Sequence, residues 1–351
     1  MTIVPAGSLG RADLDYATLF AGLQREVRAA GLMDPRPGRY VVWVAGNSLL
    51  ILAGFATLAV VGDSWWVLAV AVFLAFAHGQ NAVVAHDIGH RQVFRHRRST
   101  DIAGYVTGNV LMGVSYGWWV WHHNRHHGNP NHLTLDPDIV RRQVIFSTAQ
   151  LPARRGAFHR FVIRRQGWLF FVLIMFESIR LHLAGFIAAA KGAITRNKAL
   201  DAGLLAAHLV AYTGYVAWVL SPVYAILVIV VHQALFGFYL GILFAPNHKG
   251  LPVRDGDEEL DWCRRQICTS RNQQPNPVVD YVMGGLNYQI EHHLFPTMPS
   301  INLRRARPLV WEFCRTYELP YAETGFFASY REVAKFLSDV SGQAAPMLNE
   351  V

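Results

Sequence analysis

Apolar residues run in long blocks along this chain, and the segments between the blocks are dense in arginine and histidine. Four blocks, Tyr40–Val61, Ser64–Val84, Ala199–Leu220 and Val223–Ala245, each approach the ~20 consecutive apolar residues that a helix needs to cross a bilayer. The links inside each pair are very short, Val61-Gly62-Asp63 and Ser221-Pro222, so the blocks predict two tight helical hairpins. A fifth stretch, Trp168–Ala190, is apolar but carries Glu177, Arg180 and His182, and is expected to lie along the membrane surface. Near the start, Leu14, Tyr16, Leu19, Phe20, Leu23 and Val27 recur at helical spacing. They predict a short amphipathic helix at the interface, closed off by Pro35 and Pro37. The expected fold is all-α: an integral membrane protein with four transmembrane helices in two hairpins. Residues 1–39 form an N-terminal segment and residues 40–351 a single domain, whose helical cap comprises 85–198 and 246–351.

Composition agrees with this pattern. Hydrophobic residues make up 52% of the 351 and charged residues only 16%, against a usual charged share of about 25%. All 32 Lys and Arg fall before Tyr40, between Ala85 and Lys198, or after Ala245. The positive-inside rule makes those three segments cytoplasmic, and the expected location is the cell membrane, crossed several times. The net charge of +8 then reads as a rim beside anionic lipid. No compact basic module accompanies it, which argues against nucleic acid as a partner. The three cysteines make no CxxC or zinc-ribbon spacing and read as ordinary reduced thiols.

Histidines carry the chemistry. His86 and His90 are four apart, so they share a helix face just beyond the second span. His123, His126 and His127 follow the i, i+3, i+4 spacing of one helix face. Gln289, His292 and His293 repeat it, with an amide in place of the first imidazole. His248 follows the fourth span much as His86 follows the second. Eight imidazoles and one amide are too many donors for a single ion and suit two, each with an open position for a small molecule. Imidazole accepts iron, zinc or copper, so ligand type does not choose the metal. A metal pair over an apolar bundle points to oxygen chemistry on a hydrocarbon chain. Asp87, Asp136, Asp138, Asp280 and Glu291 are candidates to accept the far N–H of a ligating imidazole. His78, His208 and His232 lie inside spans and are expected to make hydrogen-bonded helix contacts. His96, His132, His159 and His182 are expected to be solvated or interfacial, and His122 is a weaker ligand candidate than its neighbour.

These motifs, His-Asp-Ile-Gly-His, His-Asn-Arg-His-His and Gln-Ile-Glu-His-His-Leu-Phe-Pro, resemble the three histidine boxes of membrane-bound fatty acid desaturases. The likeness runs from about Gly79 to Leu303 and includes the Ala-Pro-Asn-His-Lys-Gly stretch at 245–250. The form of the third box is similar to the front-end, acyl-CoA or acyl-lipid subgroup. The resemblance implies a non-haem centre of two iron ions that uses O₂ and two electrons to remove two hydrogens from an acyl chain. Its ligands would be His86, His90, His123, His126, His127, His248, His292 and His293, with Gln289 at the variable place and Asn247 holding an iron-bound water. Front-end enzymes often carry a fused haem domain with a His-Pro-Gly-Gly motif, which this sequence lacks. A ferredoxin-type cysteine run is missing too. Electrons are therefore expected from a separate ferredoxin or flavoprotein reductase.

The acyl chain is expected in an apolar tunnel, for which Phe73, Phe76, Phe236 and Tyr239 are candidate linings and Trp118, Trp119 and Trp121 a candidate entrance. The arginines at 95, 97, 98, 154, 155, 164 and 165 suit the phosphates of coenzyme A, an acyl-carrier protein or a phospholipid, and equally suit a topogenic role. A hydroxylase or ketolase acting on lipid, sterol or carotenoid would use the same metal site. A metal transporter would need polar residues continuing through the spans, and those are sparse.

Overall fold

The computed structural model describes residues 10–348 except 12, 141–142, 154–155, 193–196 and 256–259. The protein is mostly helical, and among the described residues the strands are a single two-residue parallel pair, Asn272–Gln273 beside Glu323–Thr324. Among the described residues, five helical stretches are long and apolar enough to cross a membrane: Pro37–Val61, Val67–Gly89, Ala157–Ala190, Lys198–Val219 and Pro222–His248. Four match the blocks read from sequence. The fifth contains the stretch expected to lie on the surface. It is interrupted by a tighter turn at Ile174–Phe176, immediately before the Glu177–Arg180 ion pair.

Contacts divide the chain into two compact units: residues 35–121 with 171–242, and residues 1–34 with 122–170 and 243–351. Sequence alone treats 40–351 as one domain. In the first unit, the Pro37–Val61 helix starts on proline, whose missing N–H costs nothing there, and ends at Gly62 with φ 57°. The two hairpin links meet: Asp63 accepts the Ser221 N–H at 2.8 Å, and Trp65 packs edge-on to Tyr224. Leu58, Val67, Val70 and Leu74 interlock with Tyr212, Val216 and Val228 beneath them. Gly54 admits Leu74, since a Cβ there would lie 2.5 Å from its Cδ2. The outward faces carry exposed Val42, Leu49, Val60, Val210, Trp218 and Ile226. Such apolar rows are costly in water and at home in lipid.

In the second unit, the N-terminal helix Tyr16–Ala29 corrects one expectation. Its apolar stripe does not face an interface. Tyr16, Phe20, Leu23 and Val27 are buried in a core with Ile290, Leu294, Leu303, Val310 and Cys314. The stripe that would seat in headgroups serves equally well to seat on protein, and period alone does not distinguish the two. Asp15 caps the helix by accepting from Ala17 and Thr18.

Candidate metal centre

The second box sits in the last two turns of the helix Tyr116–Gly128, and the third forms the short helix Gln289–Leu294. His248 ends the long helix that begins at Pro222. The donor atoms of His126, His248 and His293 lie within 4.8 Å of one another. Their Nε2 atoms face inward, 3.2 Å from His126 to His248 and 3.1 Å from His293 to His248. The Gln289 amide reaches His248 Nε2 at 2.9 Å. Beside this group, His127 Nε2 stands 3.1 Å from His123 Nε2 and 3.2 Å from His292 Nε2. The rings of His127 and His293 stack at 4.2 Å. The spacing thus brings six imidazoles and Gln289 of this unit together.

The outer nitrogens decide what the inner ones do. His126 donates Nδ1–H to Asp136, at 3.0 and 3.1 Å to its two oxygens. His248 donates to the Thr269 carbonyl and His293 to Gln266 Oε1, each at 2.8 Å. Gln266 is itself oriented by donating to the His127 carbonyl. With the proton held on Nδ1, each Nε2 presents a bare lone pair to the others. Lone pairs of His126 and His293 each about 3 Å from that of His248 repel it unless a cation lies among them. Donors at about 2.1 Å from one ion stand about 3.0 Å apart at right angles and about 3.4 Å apart in a tetrahedron. The observed separations fall between those values, so this donor set fits a transition metal. Burial opposes charge on His126, but Asp136 and Asp138 outweigh it and raise its pKa, making it a more basic ligand.

His86 and His90 lie in the other unit, their rings 4.6 Å apart. Asp87 takes His86 Nδ1 at 3.2 Å and is held by Tyr40 Oη at 2.7 Å. Trp119 lies against both rings, at 5.4 and 5.8 Å. Gly89 makes room for this, because a Cβ there would sit 2.2 Å from the indole. Asp138 pairs with His126 at 3.3 Å and engages His122 at 2.9 Å.

Several expectations are corrected. Glu291 takes no imidazole; it is buried and accepts from Tyr321 Oη at 2.6 Å and Asn272 Nδ2 at 2.8 Å. At 100° per residue, positions 289, 292 and 293 share one helix face, and 291 points the other way. Burial raises its pKa, against the two hydrogen bonds. Asp280 binds Asn287, Tyr288 and Arg304 instead of a histidine. The Asn247 amide donates to the Leu243 and Leu286 carbonyls and to Gln289 Oε1, while Gln273 donates to its oxygen. It orients Gln289. His132 and His182, expected to be solvated or interfacial, are buried. Arg154 and Arg155 lie outside the described residues. Trp119, Tyr40, Gln266 and Thr269 were not selected from sequence as partners of the imidazoles, since nothing in the spacing marks them.

A match to the family described as fatty acid desaturase covers residues 63–325, which hold every histidine named as a ligand. The chain belongs to the fatty acid desaturase family. Among related desaturases, an acyl-lipid (9-3)-desaturase of Physcomitrium patens is 30% identical over 315 residues, 87% of this chain and 59% of that protein. A delta(5) fatty acid desaturase of Caenorhabditis elegans is 28% identical across 95% of this chain and 76% of its own. A delta(8)-fatty-acid desaturase of Helianthus annuus is 27% identical over the same shares. The chain thus spans about three-fifths to three-quarters of these desaturases.

Proposed function

We propose that the protein is a membrane-bound acyl desaturase that introduces a double bond into a long acyl chain. The observation that carries this is the inward convergence of Nε2 atoms, those of His126, His248 and His293 each fixed by an outward Nδ1–H bond. Two iron ions would be held by His86, His90, His123, His126, His127, His248, His292 and His293, with Gln289 beside them. When bound there, iron would supply the oxidising chemistry with O₂ that an unactivated methylene requires and no side chain has. The chain's own residues hold the imidazoles, keep their protons outward and exclude water around Asp87, Asp136 and Glu291, all fully buried. Fixing one carbon pair beside the metals falls to the apolar helices. The two electrons come from a separate ferredoxin or flavoprotein, and the substrate is carried on coenzyme A, an acyl-carrier protein or a lipid.

In this reading the chain crosses the cell membrane four times with its metal centre inside. The absence of Lys and Arg from the spans and links supports it, as does the meeting of the two links. The arm Ala157–Ala190 lies along the interface. Its exposed Phe158, Phe161, Trp168, Val172, Phe176, Ile179, Leu183 and Ile187 form one helical stripe, suited to lipid, while its other face is buried. Purified protein is expected to contain about two irons per chain. Given O₂ and a reductase, it should yield acyl chains two mass units lighter, with the double bond mapped by gas chromatography. A gain of sixteen would establish oxygen insertion instead, a reading that the names of the related proteins disfavour. Full turnover in both His126→Ala and His292→Ala would refute the ligand assignment.

A further inference from the structure

The second-box helix begins at an unusual turn. Residues Arg97–Gly104 form a helix that widens into a π-helical segment, Tyr105–Val110, and then reverses through Gly113 into Tyr116. Reversal leaves carbonyls at the end of one helix and N–H groups at the start of the next without helical partners. Histidines from two other helices meet the carbonyls. His208 donates Nδ1–H to Val110 at 2.7 Å, and His182 donates to Gly113 at 2.6 Å. Gly113 has φ 69°, and a Cβ there would lie 2.4 Å from His208 Cδ2 and 3.0 Å from His182 Cε1. The two rings therefore grip the turn where only glycine fits.

The N–H groups are met as completely. Tyr116 donates to Asn109 Oδ1, Gly117 to Asp201 Oδ2, Trp118 to Ser115 Oγ and Trp119 to the Ser115 carbonyl, at 2.9, 2.9, 3.0 and 2.9 Å. Asp201 is fully buried, and it also accepts from Ser115 Oγ and Asn109 Nδ2. A buried carboxylate at the positive end of a helix dipole is both satisfied and stabilising. A histidine pair at the carbonyls and an aspartate at the N–H groups fix both sides of one turn. The helix leaving it carries Trp119 against His86 and His90, and then His123, His126 and His127.

We propose that His182, His208 and Asp201 are positioning residues: a clamp that sets the direction in which the second-box imidazoles project. This rests on the metal-centre reading above. The test is cobalt(II) titration of metal-free protein in detergent, read by visible ligand-field absorption, with no turnover required. Asp201→Asn and His208→Leu should bind cobalt about tenfold more weakly and with an altered band. His208→Asn, whose amide N–H falls near the lost Nδ1–H, should return to within about twofold of the parent. A purely structural role would lower the melting temperature while leaving cobalt affinity and band unchanged. Ser115→Ala, which removes only a hydroxyl, is the mild variant if His208→Leu does not fold. Parental affinity and spectrum in folded Asp201→Asn or Ser115→Ala overturn the clamp alone. Failure of the parent to bind cobalt overturns the metal reading, and the clamp with it.

Discussion

Replacing Asp136 with asparagine tests the outer layer of the metal centre with almost no change in shape. Asp136 is fully buried and accepts from both sides. One oxygen takes His126 Nδ1 at 3.0 Å and the Asp138 N–H at 2.9 Å; the other takes His126 Nδ1 at 3.1 Å and the Asn131 N–H at 2.8 Å. An amide in its place must turn its NH₂ toward one of those donors whichever way it lies. One buried backbone N–H then loses its acceptor, which costs about 1–3 kcal/mol of stability. The negative charge that makes His126 basic disappears as well. Loss of such a partner typically weakens metal binding about 10–100-fold, or roughly 1.4–2.7 kcal/mol. Iron retained against a chelator of known affinity, with the thermal midpoint of the metal-free protein, separates the two effects. Asp280→Asn is the control, because Asp280 touches no imidazole, and its iron affinity should equal the parent's. Parental iron affinity in Asp136→Asn would refute the reasoning.

Gly89→Ala should push Trp119 off His86 and His90 and reduce bound iron several-fold while the protein still inserts, as iron content per chain would report. Tyr321→Phe should lower stability by about 1–3 kcal/mol by removing a hydrogen bond from buried Glu291, measured by thermal unfolding of the metal-free form. Glu291 has a raised folded pKa, so its contribution to stability is present below the unfolded carboxyl value of about 4.3 and is lost as pH climbs through the folded value. The metal-free parent should therefore lose stability relative to Glu291→Gln over that rise, and parallel pH profiles would contradict the burial argument. Burial pushes the Cys268 thiol up to about 12 and raises Cys263 and Cys314 too. Iodoacetamide at pH 8 should leave all three unmodified until the chain unfolds, as mass spectrometry would show.

The long apolar helices were legible because an unbroken run of some twenty apolar residues is a mark that few constraints other than a bilayer leave. The boxes were legible because helical spacing puts His123, His126 and His127 on one face whatever surrounds them. What imidazole Nδ1 atoms touch was partly hidden. Asp136 and Asp138 were within reach of a guess because carboxylates are natural acceptors near histidine. Thr269 contributes a backbone carbonyl, which every residue has, and Gln266 is one amide among many. Glu291 misled through its place beside two ligands, since neighbours in sequence are not neighbours around a helix. The N-terminal stripe misled for another reason: amphipathic period reports that a face is covered, not by what. His182 and His208 hold carbonyls of a turn some seventy to a hundred positions earlier, a relation that no local pattern encodes.

The seating of the first helix against the last third of the chain governs the order of events during synthesis. Tyr16 Oη reaches the Tyr317 carbonyl at 3.3 Å, and Asn302 donates to the Leu32 carbonyl at 2.8 Å. On a ribosome, that helix must wait with its greasy side bare until the residues around 290–321 that cover it have emerged. Closure across so long a loop is slow and leaves that segment open to chaperones or to aggregation meanwhile.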